Sequence, residues 1–282
     1  MIYTDFDLTL YNSYRVRSIA SLALFPSSRE ELLDYVERYP KFVVLGGGNN
    51  IILSRPYYDI PFLFLSKMSN CYCDENAIIV DSGLPMSQFS DISATHGFSG
   101  VEVFYDIPGC IGGGIFMNAG AGEQFISDFI ESVEVLDIRS MQISQILKSD
   151  SSFCYRNSIF KSKNNLIILG ATFSFTALDD EYSIRERMNN IKSTRWQKQP
   201  REYPNAGSVF KRPEGHFVGP MIQELGLKGF SIGGAAVSEK HAGFIINKGN
   251  ATGIDILSLI EYIRKKVFKY YSIELELEQI VI

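Results

Sequence analysis

Fifteen consecutive residues, "PGCIGGGIFMNAGAG" at 108–122, hold six of the 23 glycines in a chain of 282 residues. Glycine accepts positive φ and lets another group come close to the peptide, an entropic expense unless something uses that freedom. Such a stretch is either a set of tight turns or a cradle for a ligand. A second glycine-rich loop, "LGGGNN" at 45–50, lies upstream. Either loop alone is read equally well as a pair of tight turns. Two together, with Asn49, Asn50 and Asn118 beside them, can aim several backbone N–H groups at one anion. A diphosphate, and so a dinucleotide, is the ligand that this chemistry suits.

Two familiar phosphate-binding patterns are excluded. No segment reads G-x-x-x-x-G-K-[ST], and both "GGGNNI" and "GGGIFM" place a large apolar residue where a G-x-G-x-x-G fingerprint needs its third glycine. The four cysteines, Cys71, Cys73, Cys110 and Cys154, do not have zinc spacing, and with only three histidines they read as reduced structural thiols. No metal is expected.

The 27 Lys+Arg and 32 Asp+Glu give a net charge of −5 without a long single-sign run, which disfavours nucleic acid as a partner. "MIYTDFDLTL" lacks the basic start and apolar stretch of a signal peptide, and no apolar run is long enough to cross a bilayer. A cytoplasmic protein without membrane insertion is expected.

The glycine loops need elements to hold them. "PSSREELLDYVERY" offers a capping box from Ser27 to Glu30 and apolar residues at helical spacing, so a first helix runs to Pro40. "KFVVLGGGNNIILS" reads as strand, glycine loop and short strand, and "AIIVDSG", "ESVEVLDI" and "LIILGATFSF" have strand composition. "PMSQFSDISATHG" predicts a helix stopped by Gly97, and Ile184, Met188 and Ile191 mark another that ends near "QKQP". An amphipathic helix is expected from about Asp255 to Lys269, then a final strand "IELELEQIVI". The pattern predicts an α+β fold with a domain boundary near residue 180.

Five ordered segments carry a resemblance: "VLGGGNNIILS", "IPGCIGGGIFMNAGAG", "FCYRNSIFK", "PNAGSVFKRPEG" and "IGGAAVSEKHAGFIINKGNATGIDI". Together they resemble the UDP-N-acetylenolpyruvoylglucosamine reductases, in the shorter subtype without an extra substrate-covering loop. The resemblance implies an FAD-binding region of two α+β subdomains of the vanillyl-alcohol-oxidase type (1–180, divided near 65) and a smaller α+β substrate-binding domain (181–282). It implies FAD as cofactor, NADPH as reductant and a UDP-sugar substrate. The implied cofactor contacts are Leu45, Gly46, Gly47, Gly48, Asn49, Asn50, Pro108, Gly109, Cys110, Gly112, Gly113, Asn118, Gly120 and Ala121. The chain departs from the family's pattern at Arg17 and Ser18, where a glycine pair is usual, at Cys110, where Ser or Thr is common, and at Asn205, where a small residue is.

The family's reaction moves hydride from NADPH through flavin N5 to the terminal vinyl carbon of an enolpyruvyl ether. Negative charge then spreads into the substrate carboxylate, so a cation or donor is needed there and a proton source on the opposite face. The resemblance gives these roles to Arg156, Ser208 and Glu278, with substrate contacts at Tyr155, Arg212, Lys228 and His241. Arginine's planar fork suits a carboxylate, and an enediolate-like intermediate is basic enough to take a proton from a serine. Burial and nearby negative charge favour a protonated Glu278 that donates. Glu276 is the alternative register; Glu278 is preferred because the family's acid comes second in its Leu-Glu-x-Glu pair. Taken singly, Ser208 reads as a turn serine, Arg156 as a surface ion pair, Glu278 as part of a solvated strand face and His241 as a core histidine. Two further readings stay open: the same fold acting on another enolpyruvyl or UDP-sugar compound, and a catalytically silent nucleotide-binding module.

Overall fold

The computed structural model describes residues 1–282. The chain forms two compact units, each assembled from separate stretches: Met1–Tyr3, Ala23–Gly47 and Ile60–Arg195 in the first, and Thr4–Leu22, Gly48–Asp59 and Trp196–Ile282 in the second. The units cut the chain elsewhere than the expected line at 180, because two early segments are hydrogen-bonded into the C-terminal unit.

The first unit is built on a five-stranded antiparallel sheet in the order Gln142–Leu147, Ile130–Asp137, Leu166–Ser174, Ala77–Asp81, Cys71–Asp74. Alternation along these strands sends Val133, Val135, Ile78, Val80, Ala171 and Phe173 into one core with Met86 and Phe89 of the helix Met86–Thr95. The Phe89 and Phe173 rings pack with centroids 4.6 Å apart. Gly97 ends that helix at φ 73°, as its position in the sequence predicts.

A second cluster joins Leu32, Tyr35 and Val36 of the helix Arg29–Arg38 to Leu136, Ile167 and Leu169 of the sheet. The helix is capped by Ser28, whose side chain accepts from the Glu31 amide, and not by Ser27. The segment "SSREE" fits S-x-x-E in two registers, and Ser27 instead donates its amide and hydroxyl to the Glu31 carboxylate. Arg29 fastens this helix to the sheet through Asp81 at 3.0 Å and Glu134 at 2.5 Å. The helix Glu181–Lys198 buries Ile184 and Met188 against Ala94.

The second unit packs the helix Gly253–Tyr271 on a three-stranded antiparallel sheet of Ser231–Ile232, Ala235–Val237 and Ile245–Asn247. Ile256, Leu259, Ile260, Ile263 and Val267 recur at helical spacing and meet Val209, Met221, Val237 and Ile245 in its core. Ile51–Ile52 belongs here because it pairs in parallel with Ile280–Val281.

The expected last strand is strand only at Ile280–Val281. The segment before it is extended but changes partners: the Glu278 amide donates to Val209 O, and the Ile280 and Ile282 amides to Asn50 O and Ile52 O. Bonds shared between two partners satisfy the backbone without making a continuous ladder.

At the start of the long helix, Thr252 and Asp255 form a reciprocal capping box, with bonds of 3.1 and 2.9 Å. Removing such a cap costs about 1 kcal/mol. Thr252→Ala is therefore expected to lower the stability of the second unit by about that amount in denaturant unfolding.

Candidate active site

The central part of "PGCIGGGIFMNAGAG" is helical: Ile111–Met117 forms a seven-residue helix, where a glycine-rich loop was expected throughout 109–122. Sequence reasoning missed it because three successive glycines oppose helix formation in isolation. Packing explains two of them. A Cβ on Gly112 would lie 2.8 Å from the Cβ of Ser82, and one on Gly114 2.9 Å from Met86 Sδ. Large side chains elsewhere on the helix, Ile111 and Ile115, anchor it in the core.

Gly113 differs. The nearest atom to a Cβ placed there is Cys110 Sγ at 3.8 Å, which is ordinary contact. Protein packing therefore does not require glycine at this position.

Within the first unit the two glycine segments converge. A Cβ on Gly46 would lie 3.0 Å from Cys110 Sγ, and the backbone N–H groups of Gly47, Gly112 and Gly113 all favour negative charge on that sulfur. Burial is the stronger influence and pushes the Cys110 thiol above its ordinary pKa. Nearby main-chain amides nevertheless favour its charged form, the direction in which backbone donors act on an anion. Beside it, the Ser82 hydroxyl is buried without a hydrogen-bond partner, while the Ser82 carbonyl accepts from the Gly112 amide at 2.8 Å. These features fit the diphosphate of a dinucleotide.

The other end of the short helix is closed by the segment carrying Arg156. Its last turn exposes carbonyls that need donors. Ser158 donates to Phe116 O at 2.8 Å, and Arg156 to Asn118 O at 3.4 Å and Gly120 O at 2.9 Å. Arg156 occupies the left-handed region at φ 53° in a tight turn closed by paired bonds between Cys154 and Asn157. Non-glycine residues are rarely held there, so this conformation marks a constrained position. Tyr155 is 44% exposed, and the Arg156 guanidinium lies 5.2 Å from its ring centroid.

The three asparagines serve the loops themselves. Asn49 donates to Ser13 Oγ at 2.7 Å, Asn50 to Glu278 O at 3.2 Å, and Asn118, at φ 45°, to Cys154 O at 3.0 Å. Each side-chain amide thus has a partner within the protein beside the expected ligand position. Leu45 is buried, and Gly120 and Ala121 pair with Phe125 and Gln124. Pro108 and Gly109 precede the short helix, with Gly109 at φ 138°. At the departure from the family's glycine pair, Ser18 is buried and donates to Arg55 O at 2.8 Å.

The second unit holds Gly48, Asn49, Asn50, Ser208, Arg212, Lys228, His241 and Glu278. Gly207 turns the chain at φ 79° and leaves Ser208 exposed. Asn205 supports that turn, accepting from the Gly207 amide at 3.1 Å and donating to Pro200 O at 2.7 Å. Phe210 and Leu277 face each other, and the Glu278 amide donates to Val209 O at 2.9 Å, so Glu278 runs beside the residue that follows Ser208. Glu276 sits differently: its side chain is 70% exposed and pairs with Lys211 at 2.5 Å.

Arg212 stacks over Phe217 at 3.8 Å. His241 is half-buried against Phe244, and its Nδ1 accepts from the Gly243 amide at 3.1 Å. Burial, with a smaller push from Lys228, holds its pKa below the ordinary histidine value. A neutral imidazole beside a lysine at neutral pH is the result.

Residues 20–142 match an FAD binding domain, and residues 199–282 match the C-terminal domain of UDP-N-acetylenolpyruvoylglucosamine reductase. The reductase of Francisella tularensis is 42% identical over 98% of this chain and 98% of its own length. That of Thermosipho melanesiensis is 39% identical, covering 98% of this chain and 94% of the relative. The chain belongs to the UDP-N-acetylenolpyruvoylglucosamine reductase family. The crystal structure of the Thermus caldophilus reductase covers 100% of this chain and 98% of its own, with 27% identity and a TM-score of 0.84. The fold class is the family's: α+β, with an FAD-binding region of the vanillyl-alcohol-oxidase type followed by the C-terminal domain. No helix is long and apolar enough to cross a membrane.

The two glycine environments separate packing from ligand space. Gly112→Ala adds a methyl group with nowhere to go and is expected to destabilise the first unit by about 1–3 kcal/mol. Gly113→Ala is expected to keep or raise stability, since alanine gains roughly 1 kcal/mol in a helix, while weakening FAD binding. Thermal melts of the FAD-free proteins, paired with FAD titrations, check both.

Proposed function

We propose that Arg156, Ser208 and Glu278 carry the family's reaction in this chain, the FAD-dependent reduction of UDP-N-acetylglucosamine enolpyruvate to UDP-N-acetylmuramate in peptidoglycan precursor synthesis. NADPH is the reductant, and the compartment is the cytoplasm. FAD, when bound, supplies hydride transfer from the nicotinamide to the terminal vinyl carbon of the substrate.

The residues 45–50 and 108–113, with Asn118, Gly120 and Ala121, hold that cofactor, chiefly through main-chain N–H groups. Support comes from the close approach of the two segments, a Cβ on Gly46 lying 3.0 Å from Cys110 Sγ, and from the buried Ser82 hydroxyl left without a partner beside Gly112. Residues 1–180 act as the FAD-binding region and 181–282 as the substrate-binding domain, with Tyr155, Arg212, Lys228 and His241 binding the sugar nucleotide. Cations at 212 and 228 suit a diphosphate or a carboxylate.

Addition of hydride to CH2=C(OR)–COO⁻ gives CH3–C(OR)=CO2²⁻, and a proton on the central carbon completes CH3–CH(OR)–COO⁻. Ser208 delivers that proton, and Arg156 binds the carboxylate on which the charge collects. Glu278, in its protonated form, donates to the same carboxylate. The exposed ion pair of Glu276 with Lys211 supports Glu278 as the acid. The observation that carries the reading is the position of Glu278 beside Val209, one residue from Ser208 on a glycine turn. Identity to the reductases across nearly the full length favours their substrate over another enolpyruvyl compound.

Ser208→Ala is expected to keep flavin bleaching by NADPH and to slow substrate-driven return of colour by about 10²-fold or more, since the proton is needed only in the second half. Glu278→Gln is expected to slow that same half, and Glu276→Gln to leave it near the unaltered rate. Rapid-mixing absorbance of each half-reaction decides. Unaltered colour return in Ser208→Ala, or a slow Glu276→Gln beside a normal Glu278→Gln, would contradict these assignments.

A further inference from the structure

Two polar side chains lie inside the apolar core of the second unit. Tyr14 is 0% exposed and Gln279 3% exposed, among Val16, Ile52, Val209 and Leu275. Burying an amide and a phenol is unfavourable unless both are hydrogen-bonded, and an apolar pair of similar shape would serve stability about as well. Their presence therefore calls for another reason.

The bonds they make supply it. Gln279 Nε2 donates to Ala206 O at 3.0 Å and lies 3.4 Å from both Gly207 O and Ser208 O, so one amide group faces three successive carbonyls of the turn. Gln279 Oε1 accepts from the Tyr14 hydroxyl at 3.0 Å. That acceptor fixes which way the amide points, because only the NH2 end can serve carbonyls. Burial raises the Tyr14 pKa, so the phenol stays a donor throughout the working pH range.

The pair is itself held on every side. Asn50 donates to Glu278 O at 3.2 Å and accepts from the Ile280 amide at 3.0 Å, clamping the main chain before and after Gln279. Asn247 donates to Tyr14 O at 2.8 Å, and its own amide donates to Pro204 O at 2.8 Å, ahead of the same turn. Gly207 lies in the left-handed region with no atom within 4 Å of a Cβ built there, so packing against its Cβ side does not hold the turn. Gln279 donates to its carbonyls and Asn205 accepts from the Gly207 amide, and Ser208 is bridged to Phe244 with the Val209 amide donating to Gly243 O at 3.1 Å.

We infer that Tyr14 and Gln279 are positioning residues for Ser208: the phenol orients the amide, and the amide fixes the carbonyls of 206–208 and with them the direction of the serine hydroxyl. The inference rests on the reading of Ser208 as proton donor. Misplacing a reacting group by about 1 Å can reduce a rate as much as 10²-fold, so loss of this orientation acts on proton delivery alone.

The test compares Tyr14→Phe, Gln279→Met and the double variant, each loaded with FAD, with Ser208→Ala alongside. Tyr14→Phe leaves Gln279 Oε1 without its donor, and Gln279→Met leaves both the Tyr14 hydroxyl and the Ala206 carbonyl without theirs, so each is expected to melt at lower temperature; the double variant regains only the part due to the orphaned hydroxyl. Bleaching by NADPH should be unchanged in all three. Colour return with substrate should be about tenfold slower in Tyr14→Phe and in the double variant, with a larger solvent deuterium isotope effect. Hydrogen exchange at the amides of 207–209 should be faster in the FAD-free double variant. Colour return at the unaltered rate in the folded, FAD-loaded double variant would overturn the inference and leave the pair a packing feature. Equal slowing of bleaching would also overturn it, since the role is confined to the proton step. Ser208→Ala reports separately: if it returns colour at the unaltered rate, the assignment of the proton donor fails, whatever the pair does.

Discussion

The first unit depends on how closely the chain 45–47 approaches the first turn of the helix Ile111–Met117. Gly46 would carry its Cβ to within 3.0 Å of Cys110 Sγ, and Gly112 to within 2.8 Å of the Cβ of Ser82. Bare backbone allows that approach, which sets the chain 45–47 beside the first turn of the helix. Arg156 is tied to the same short helix, through the carbonyls at its far end. The glycine contacts and the arginine thus meet the two ends of one short helix.

The second unit solves a different problem with side chains. Ser208 is exposed directly after a glycine turn and is bridged to Phe244. To the main-chain pairing there, Gln279 adds a donor for the carbonyls of the turn and Asn205 an acceptor for the Gly207 amide. Asn50 then holds the extended segment that carries Glu278. Buried polar groups of this sort specify one arrangement where an apolar core would tolerate several.

Periodicity and turn chemistry made much of this legible in the sequence. The strands of the large sheet, the helix ending at Gly97 and the long C-terminal helix follow from alternation, helical spacing and caps. The helix Ile111–Met117 was not legible, because its glycines are set by contacts with Ser82 and Met86, far away in sequence. The assignment of the early segments to the C-terminal unit was hidden for the same reason: it depends on pairing of Ile51–Ile52 with Ile280–Val281. The ordered motifs marked Arg156, Ser208 and Glu278, whereas Tyr14 and Gln279 carried no signal. A lone tyrosine and a lone glutamine acquire meaning only when the fold brings them within 3.0 Å.

The central claim is that the two glycine segments jointly hold FAD. Hydrogen exchange of the whole chain, followed by mass spectrometry with and without saturating FAD, tests it most directly. Protection should rise together at 45–50 and 109–114. Protection at only one of these segments, or at neither while FAD is bound, would contradict a shared cradle.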